Sequence, residues 1–207
     1  VREPWKIAFS YLYKYFGSTF DFRSLPVFKQ AGREKIELLA DMLEKNINSP
    51  VSSGAGRLFD AVSALLELCT IETFDSEAPL RLESAILENT DEHYPYNAGC
   101  PVVFREMFIS ILDDIKTGNS SIVPEKFHNT LGRVILDVAE KMSLETSVKK
   151  VVLSGGCFQN KYLLEKACNL LREKSFIVYT NNKVPPNDGG ISLGQVVIAS
   201  KRFKQCV

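Results

Sequence analysis

Apolar residues recur at three- and four-residue steps over the first three quarters of the chain, which is the spacing of one helical face. Segments 33–46 and 57–69 show this period, and a third such segment follows Pro124, since proline is tolerated in a first turn. We therefore predict a mainly helical part whose apolar stripes face a core. The stripes are Ile36, Leu38, Leu39, Met42 and Leu43; Leu58, Val62, Leu65 and Leu66; and Phe127, Leu131, Val134, Ile135, Val138 and Met142.

The pattern changes after Lys149, where short β-branched runs alternate with helical segments. Strands are predicted at 151–156 and 176–180, a helix at 161–173, and a closing helix after "PPNDGG". This βαβα order requires parallel strands with a right-handed crossover. The fold class is therefore α/β and helix-rich, with residues 1–148 as the mainly helical part and residues 149–207 as the βαβα part.

Two glycine turns, at 154–156 and 187–190, each follow a predicted strand. The carboxyl ends of parallel strands share one sheet edge, where ligands bind, so the two turns should lie side by side. Glycines let a backbone approach a ligand closely, and the helix amino terminus behind them favours phosphate. A tight turn without a ligand is the alternative interpretation.

Another glycine cluster, "SSGAGRLFDAV", opens the helix at 57–69. Gly56 and Asp60 are four residues apart and therefore share a helical face, away from the stripe of Leu58, Val62 and Leu65. An aspartate on that face could accept two hydrogen bonds from ribose hydroxyls. The alternative is a solvated carboxylate near a helix amino terminus.

Composition narrows the function classes. The 207 residues carry 25 basic and 25 acidic side chains, so no basic field argues for nucleic acid or an anionic membrane surface. The apolar stretches are shorter than the roughly 20 residues of a membrane span. Five cysteines without a CxxC pair favour reduced thiols and a cytoplasmic location. The abrupt start at Val1 suggests a piece of a longer protein.

Five ordered blocks carry a resemblance over nearly the whole chain. They are "REPWKIAFSYL" at 2–12, "SSGAGRLFDAVSALL" at 52–66, "FHNTLGRVI" at 127–135, "VVLSGGCFQNKYLLE" at 151–165 and "PPNDGGISLGQ" at 185–195. Together they resemble the carboxyl-terminal part of the hydrogenase maturation carbamoyltransferases of the HypF family. The resemblance implies one lobe of the actin-like, sugar-kinase-like (ribonuclease H-like) ATPase fold, similar to the threonylcarbamoyltransferases.

The resemblance also implies a function. Upstream domains of that family convert carbamoyl phosphate and ATP into carbamoyl-adenylate, and this domain passes the carbamoyl group to the carboxyl-terminal cysteine of a partner, HypE. Gly155, Gly156 and Asn160 would then border the nucleotide, Gly56 and Asp60 would reach its ribose, and Asp188 would bind a divalent metal. Neither nucleic acid nor a membrane is expected as a partner.

The chain departs from the family in several places. "FDSEA" at 74–78 replaces the usual Tyr-Glu-Gly-Gln-Ala loop, and the HxxxH metal motif is absent, since the two histidines, His93 and His128, are far apart. We interpret His128 as a helix residue and His93 as a solvated loop residue. Asp188 alone cannot form a metal site, and helix capping is its alternative role.

Other interpretations stay open. Cys157, between a strand and a helix, resembles a nucleophile elbow, so a thiol hydrolase is one alternative. The others are the nucleotide-binding lobe of another carbamoyl- or threonylcarbamoyltransferase, and a non-catalytic helical interaction module whose glycine turns are only structural. Nucleotide binding would separate that module from the transferases.

Overall fold

The structure, a computed structural model, describes residues 2–87 and 90–203. The chain divides into two compact units, Val1–Thr130 and Leu131–Val207. The predicted division into residues 1–148 and 149–207 follows the type of element instead of compactness, and it stays a prediction.

The first unit is helical and is built around one buried helix. Its helices are α1 (Pro4–Phe16), α2 (Pro26–Ala31), α3 (Arg33–Glu44), α4 (Gly56–Leu65), α5 (Glu77–Ser84), α6 (Arg105–Lys116) and the beginning of α7 (Val123–Thr146). Every residue of α4 from Leu58 to Leu65 is buried, and α4 packs against α1 and α5. The small side chains of Ala61, Ser63 and Ala64 let both neighbours approach closely. Asp60 is buried too, so the side of α4 away from the stripe of Leu58, Val62 and Leu65 is also covered.

Two predicted core stripes are only partly buried. Helix α3 forms as predicted but contains no buried residue, and Leu38 is exposed. In α7, Phe127 and Leu131 are buried, whereas Val138 and Met142 are exposed. Periodicity identifies the apolar face of a helix correctly here, but it does not show whether a neighbour covers that face.

Polar side chains at the start of α7 hold the segment that precedes α6. Asn129 Nδ2 donates to the carbonyl oxygens of Thr90 at 2.7 Å and Glu92 at 3.0 Å. The backbone N–H of Tyr94 donates to Thr130 Oγ1 at 2.8 Å. The sequence predicts a loop over residues 89–101, and residues 90–101 contain no helix and neither strand of the sheet. Asn89 lies outside the described residues. These buried polar side chains therefore satisfy backbone groups that a loop cannot pair internally.

The second unit contains the predicted βαβα order: β1 (Lys150–Leu153), α8 (Lys161–Glu173), β2 (Ile177–Thr180) and α9 (Ile191–Phe203). The two strands are parallel, with Val151 opposite Val178 and Leu153 opposite Thr180. The predicted fold class is confirmed, although β1 ends at Leu153, before the glycine turn. The core of this unit consists of Leu136, Leu153, Ala167, Cys168, Leu170, Leu171 and Phe176.

The outer surface of this second unit is strongly apolar. Val152, Ile177 and Tyr179 are exposed on one face of the sheet, and residues 191–200 of α9 are all exposed. Parallel sheets are normally covered on both faces, so the exposure of this apolar sheet face is atypical. No helix among residues 2–87 and 90–203 is long and apolar enough to cross a bilayer.

The loop "FDSEA" contains a backbone position that favours glycine. Ser76 has φ 65° and ψ 23°, and its side chain forms no capping hydrogen bond at the start of α5. A left-handed conformation costs a non-glycine residue about 1 kcal/mol. We expect Ser76→Gly to raise the free energy of unfolding by a few tenths to about 1 kcal/mol, as measured by urea denaturation.

Ser84→Gly provides the control for this prediction, because Ser84 is the last helical residue of the same helix. Glycine there is expected to lower stability by about 0.5 kcal/mol, because glycine favours a helix less than serine does. A loss of stability in Ser76→Gly as well would contradict the conformational explanation.

Candidate functional site

The two glycine turns of the second unit lie side by side, as predicted. The backbone N–H of Gly155 donates to the carbonyl oxygen of Pro186 at 2.8 Å, which joins the turn after β1 to the turn before α9. Gly155 has φ 108°, a conformation that other residues rarely adopt. Because both turns follow parallel strands, their hydrogen bond places them together at the carboxyl edge of the sheet.

The backbone beside the first turn is open. Gly155 and Gly156 are both exposed, and a Cβ atom added at either position would contact nothing within 4 Å. The backbone conformation explains why residue 155 is a glycine, but no packing contact requires a glycine at either position. The free space is what a ligand needs in order to approach the main chain closely.

Asn160 has a structural role that was not predicted from its sequence. It is the N-cap of α8, and its Oδ1 accepts a hydrogen bond from the backbone N–H of Leu163 at 2.8 Å. The side chain is buried. An asparagine directly before a helix-forming run is a typical N-cap signal. Contact between Asn160 and a nucleotide stays a prediction.

Asp188 is an exposed carboxylate at the same edge of the sheet. It is the first residue of the 3-10 turn Asp188–Gly190, and the capping side chain there is Asn187, whose Oδ1 accepts from the N–H of Gly189 at 3.1 Å. Capping by Asp188, the alternative interpretation, is therefore wrong. Its carboxylate projects from a turn that is hydrogen-bonded to the first glycine turn.

Asp60 lies in the first unit and is almost fully buried, with 2% of its side chain exposed. The guanidinium Nη1 of Arg57, one turn earlier on α4, lies 2.9 Å from Asp60 Oδ2. Burial raises the pKa of Asp60 to about 6, because desolvation outweighs the attraction of Arg57. The solvated-carboxylate alternative is therefore wrong. Gly56, the first residue of α4, is half-buried and has open space at its Cβ position.

Arg57 is a residue of this site that was not predicted. Its spacing from Asp60 is i,i+3, which places the two side chains on the same side of a helix. About a third of the Arg57 side chain is exposed, so its guanidinium covers the carboxylate on the solvent side. The "GRLFD" sequence already contains this pair.

The described residues do not form a complete metal site. Nowhere in 2–87 and 90–203 do three His, Cys, Asp or Glu side chains come together. His93 is exposed, while His128 is buried in α7 with Nδ1 2.6 Å from the carbonyl oxygen of Pro124. Burial lowers the pKa of His128 to about 4, so the ring is neutral at pH 7. Asp188 thus offers a single oxygen ligand.

The thiol-hydrolase alternative gains no support from the second unit. Cys157 is half-buried within the 3-10 turn Gly156–Gln159. Both histidines of the sequence lie in Val1–Thr130, so the unit that contains Cys157 has no histidine to act as its base.

A surface cavity of about 580 Å³ lies in the first unit, and none of the predicted site residues lines it. Phe16 and Phe20 form its aromatic wall, while Asp114 and Lys126 lie at its polar side. The Lys126 ammonium is 3.5 Å from Asp114 Oδ2 and 4.6 Å from the centre of the Tyr94 ring. These contacts stabilise the segment at 90–101.

Comparison with known proteins gives one consistent result. The family model described as "Carbamoyltransferase, Kae1-like Domain, second subdomain" matches residues 1–195. Carbamoyltransferase HypF of Synechocystis sp. is 32% identical over 215 residues, which cover 95% of this chain and 27% of the relative. The probable carbamoyltransferase HypF of Methanocaldococcus jannaschii is 28% identical over 206 residues, which cover 95% of this chain and 26% of the relative.

Solved structures agree with these relatives. A crystal structure of full-length HypF in a phosphate- and nucleotide-bound form matches with a TM-score of 0.85 and 35% identity, over 97% of this chain and 32% of that one. HypF of T. kodakarensis matches with a TM-score of 0.83 over 99% of this chain and 28% of that one, and its 22% identity supports the fold alone. The chain thus spans about a quarter to a third of the length of these proteins.

Proposed function

Because this chain belongs to the HypF carbamoyltransferase family, as a second Kae1-like subdomain, we propose that it forms the nucleotide-binding lobe of a carbamoyltransferase. The carbamoyl group moves from carbamoyl-adenylate to the carboxyl-terminal cysteine of a HypE-like maturation protein, in the cytoplasm. The single observation that carries the proposal is the hydrogen bond between Gly155 and Pro186, which joins the open, exposed first glycine turn to the second turn at the carboxyl edge of a parallel sheet.

The chemistry of an acyl-adenylate suits such an edge. The phosphate needs backbone N–H groups that it can approach closely, and the exposed Gly155 and Gly156 carry no side chain to block that approach. Because the N–H of Gly155 already donates to Pro186, Gly156 is the proposed donor. The partner's thiolate attacks the carbamoyl carbon, a carbon–sulfur bond forms, and the bond to the phosphate oxygen breaks to release AMP. The lobe contributes by holding the adenylate in position for that attack.

Asp60 supplies the second proposed contact, to the ribose. Its carboxylate is acceptor-only when ionised, which suits two vicinal hydroxyl donors. The residue is buried and its Oδ2 contacts Arg57, so the ribose hydroxyls would reach it by taking the place of the Arg57 guanidinium. Gly56, at the start of the same helix, leaves space there.

Other parts of the reaction are assigned outside this chain. Carbamoyl phosphate and ATP are consumed in domains that lie in the remaining length of the relatives, since this chain covers 27% of the Synechocystis protein. Asp188 is proposed as one oxygen ligand of a divalent metal. The described residues do not form a group of three ligands around it, so no step of the reaction is assigned to a metal here.

Nucleotide affinity tests this proposal. We expect Asp60→Asn to weaken ADP binding by tenfold or more in the full-length protein, because a hydrogen bond to a charged acceptor contributes about 1.5–3 kcal/mol. Isothermal titration calorimetry at pH 8 measures the effect. Asp41→Asn is the control, since Asp41 is exposed on α3 and pairs only with exposed Lys45 among the described residues.

Unchanged ADP affinity in Asp60→Asn would remove Asp60 from the nucleotide site. Absence of ADP binding in the wild-type protein would favour the helical interaction module instead. Binding of ADP without carbamoylation of a HypE-like partner would favour the lobe of another carbamoyl- or threonylcarbamoyltransferase.

A further inference from the structure

The ion pair between Arg57 and Asp60 joins a partly exposed cation to a buried carboxylate. Asp60 is 2% exposed and Arg57 is 33% exposed, so the pair has one buried end and one end at the surface. The contact joins Arg57 Nη1 to Asp60 Oδ2 at 2.9 Å. Arg57 therefore shields one carboxylate oxygen of the residue that the proposed function assigns to the ribose.

A buried carboxylate needs a partner in order to stay ionised. Desolvation disfavours its charged form, and an adjacent cation favours it. Around Asp60, Arg57 lowers its pKa and Glu72 raises it, whereas burial is the largest influence. Without Arg57, the protonated form of Asp60 would extend to higher pH, and a protonated carboxyl is a poorer acceptor for two hydroxyl groups.

The other ionisable groups around α4 do not replace Arg57. Tyr11 of α1 and Cys69 after α4 interact electrostatically with Asp60, but both are uncharged at pH 7, and burial raises the pKa of each. Glu77 and Arg81 of α5 pair with each other. His128 of α7 contacts Phe59 edge to face and is neutral at pH 7. Arg57 is thus the cation in contact with Asp60 among the described residues.

We propose that Arg57 is a positioning residue of the nucleotide site, which keeps Asp60 an ionised acceptor until the ribose binds and turns outward when the ribose occupies its place. The proposal rests on the proposed function, because it takes Asp60 as the ribose ligand. The surface position of Arg57 allows the movement, since the exposed part of its side chain has solvent to move into. The buried Asp60 stays fixed on α4 between α1 and α5.

The pH dependence of ADP affinity distinguishes positioning from packing. Loss of the adjacent cation raises the pKa of an aspartate by about one unit or more. Starting from a pKa of about 6, the ionised fraction of Asp60 at pH 6 should fall about fivefold in Arg57→Gln. At pH 8 the carboxylate is ionised in both proteins, and Arg57→Gln should bind ADP as tightly as wild type or more tightly.

The experiment measures ADP dissociation constants at pH 6 and pH 8 for full-length wild type, Arg57→Gln, Arg57→Lys and Asp60→Asn, with circular dichroism at each pH to confirm folding. Arg57→Lys keeps the charge and should restore the wild-type pH profile, and it carries the test if Arg57→Gln does not fold. The control is Arg33→Gln, because Arg33 pairs with exposed Glu37 on the surface of α3, and no change is expected.

The outcomes test separately the positioning role of Arg57 and the assignment of Asp60 to the ribose. Weaker binding of Arg57→Gln at pH 6 with unchanged or tighter binding at pH 8 supports positioning. An equal loss at both pH values, or no effect at either, overturns it. If Asp60→Asn weakens ADP binding while Arg57→Gln keeps the wild-type profile, the role of Arg57 alone is wrong. If Asp60→Asn binds normally, the ribose assignment itself fails.

Discussion

As the pH is lowered from 7 to 4, the free energy of unfolding of His128→Asn is expected to rise by about 3 kcal/mol relative to that of the wild type. Burial lowers the pKa of His128 from 6.5 to about 4, whereas the unfolded chain binds the proton near 6.5. The stability contributed by the neutral ring is therefore present above pH 6.5 and is lost as the pH falls through about 4. A difference of one unit between the pKa values in the folded and unfolded states corresponds to about 1.4 kcal/mol of stability.

Asparagine is the suitable replacement because its amide can take over one contact. His128 Nδ1 donates to the carbonyl oxygen of Pro124 at 2.6 Å, and the Nδ2 of asparagine lies at a comparable position along the side chain. The smaller side chain leaves a void beside Phe59 and Phe127, which contact the imidazole ring edge to face. This void lowers stability equally at every pH, so the change with pH isolates the proton.

Urea denaturation of the 207-residue chain, followed by Trp5 fluorescence at pH steps from 7 to 4, measures the effect. Trp5 is the single tryptophan and is buried in the same unit as His128. The matched control is His93→Asn, because His93 is exposed. A stability difference between His128→Asn and wild type that stays constant with pH would show that the ring is not neutral and buried in solution.

The βαβα part was predictable because its signals are local. Helix α8 begins at Lys161 and ends at Glu173, as predicted, since the glycine turn before it and the run of helix formers are adjacent in sequence. The adjacency of the two glycine turns followed from topology alone, because parallel strands bring their carboxyl ends to one edge. The hydrogen bond from Gly155 to Pro186 confirms it.

The burial of particular side chains was not predictable, because it depends on residues distant in sequence. Asp60 was placed off the apolar stripe of α4, with a solvated carboxylate as the alternative, yet Asp60 is buried. Leu38 was placed in a core because it belongs to an equally clear stripe, yet it is exposed. Periodicity indicates which residues share a face, and only tertiary packing decides whether that face is covered.

Buried polar residues on α7 were missed for the same reason. Asn129 and Thr130 satisfy backbone groups of Thr90, Glu92 and Tyr94, which are more than thirty residues earlier. Nothing near α7 in the sequence indicates that these polar side chains have such partners. The block "FHNTLGRVI" therefore has a structural explanation in this fold, in addition to its value for recognising the family.

Asp60→Asn is expected to show the opposite pH response to His128→Asn. Burial raises the pKa of Asp60 from 3.8 to about 6, so the stability contributed by its protonated form is present below pH 3.8 and is lost as the pH rises through about 6. As the pH is lowered from 7 to 4, the free energy of unfolding of Asp60→Asn should therefore fall by about 2 kcal/mol relative to that of the wild type, after allowance for partial solvent screening. The same urea series with Trp5 fluorescence measures it.

The stability contributions of His128 and Asp60 change over nearly the same pH range and in opposite directions, so they largely cancel in the wild-type protein. Combining Asp60→Asn with His128→Asn should remove both contributions and leave the pH dependence close to that of wild type. The sign for Asp60→Asn also decides which force dominates at the Arg57 pair. A relative gain of stability on acidification would mean that the ion pair outweighs burial and that Asp60 is ionised throughout this range, in which case Arg57→Gln could not weaken ADP binding selectively at pH 6.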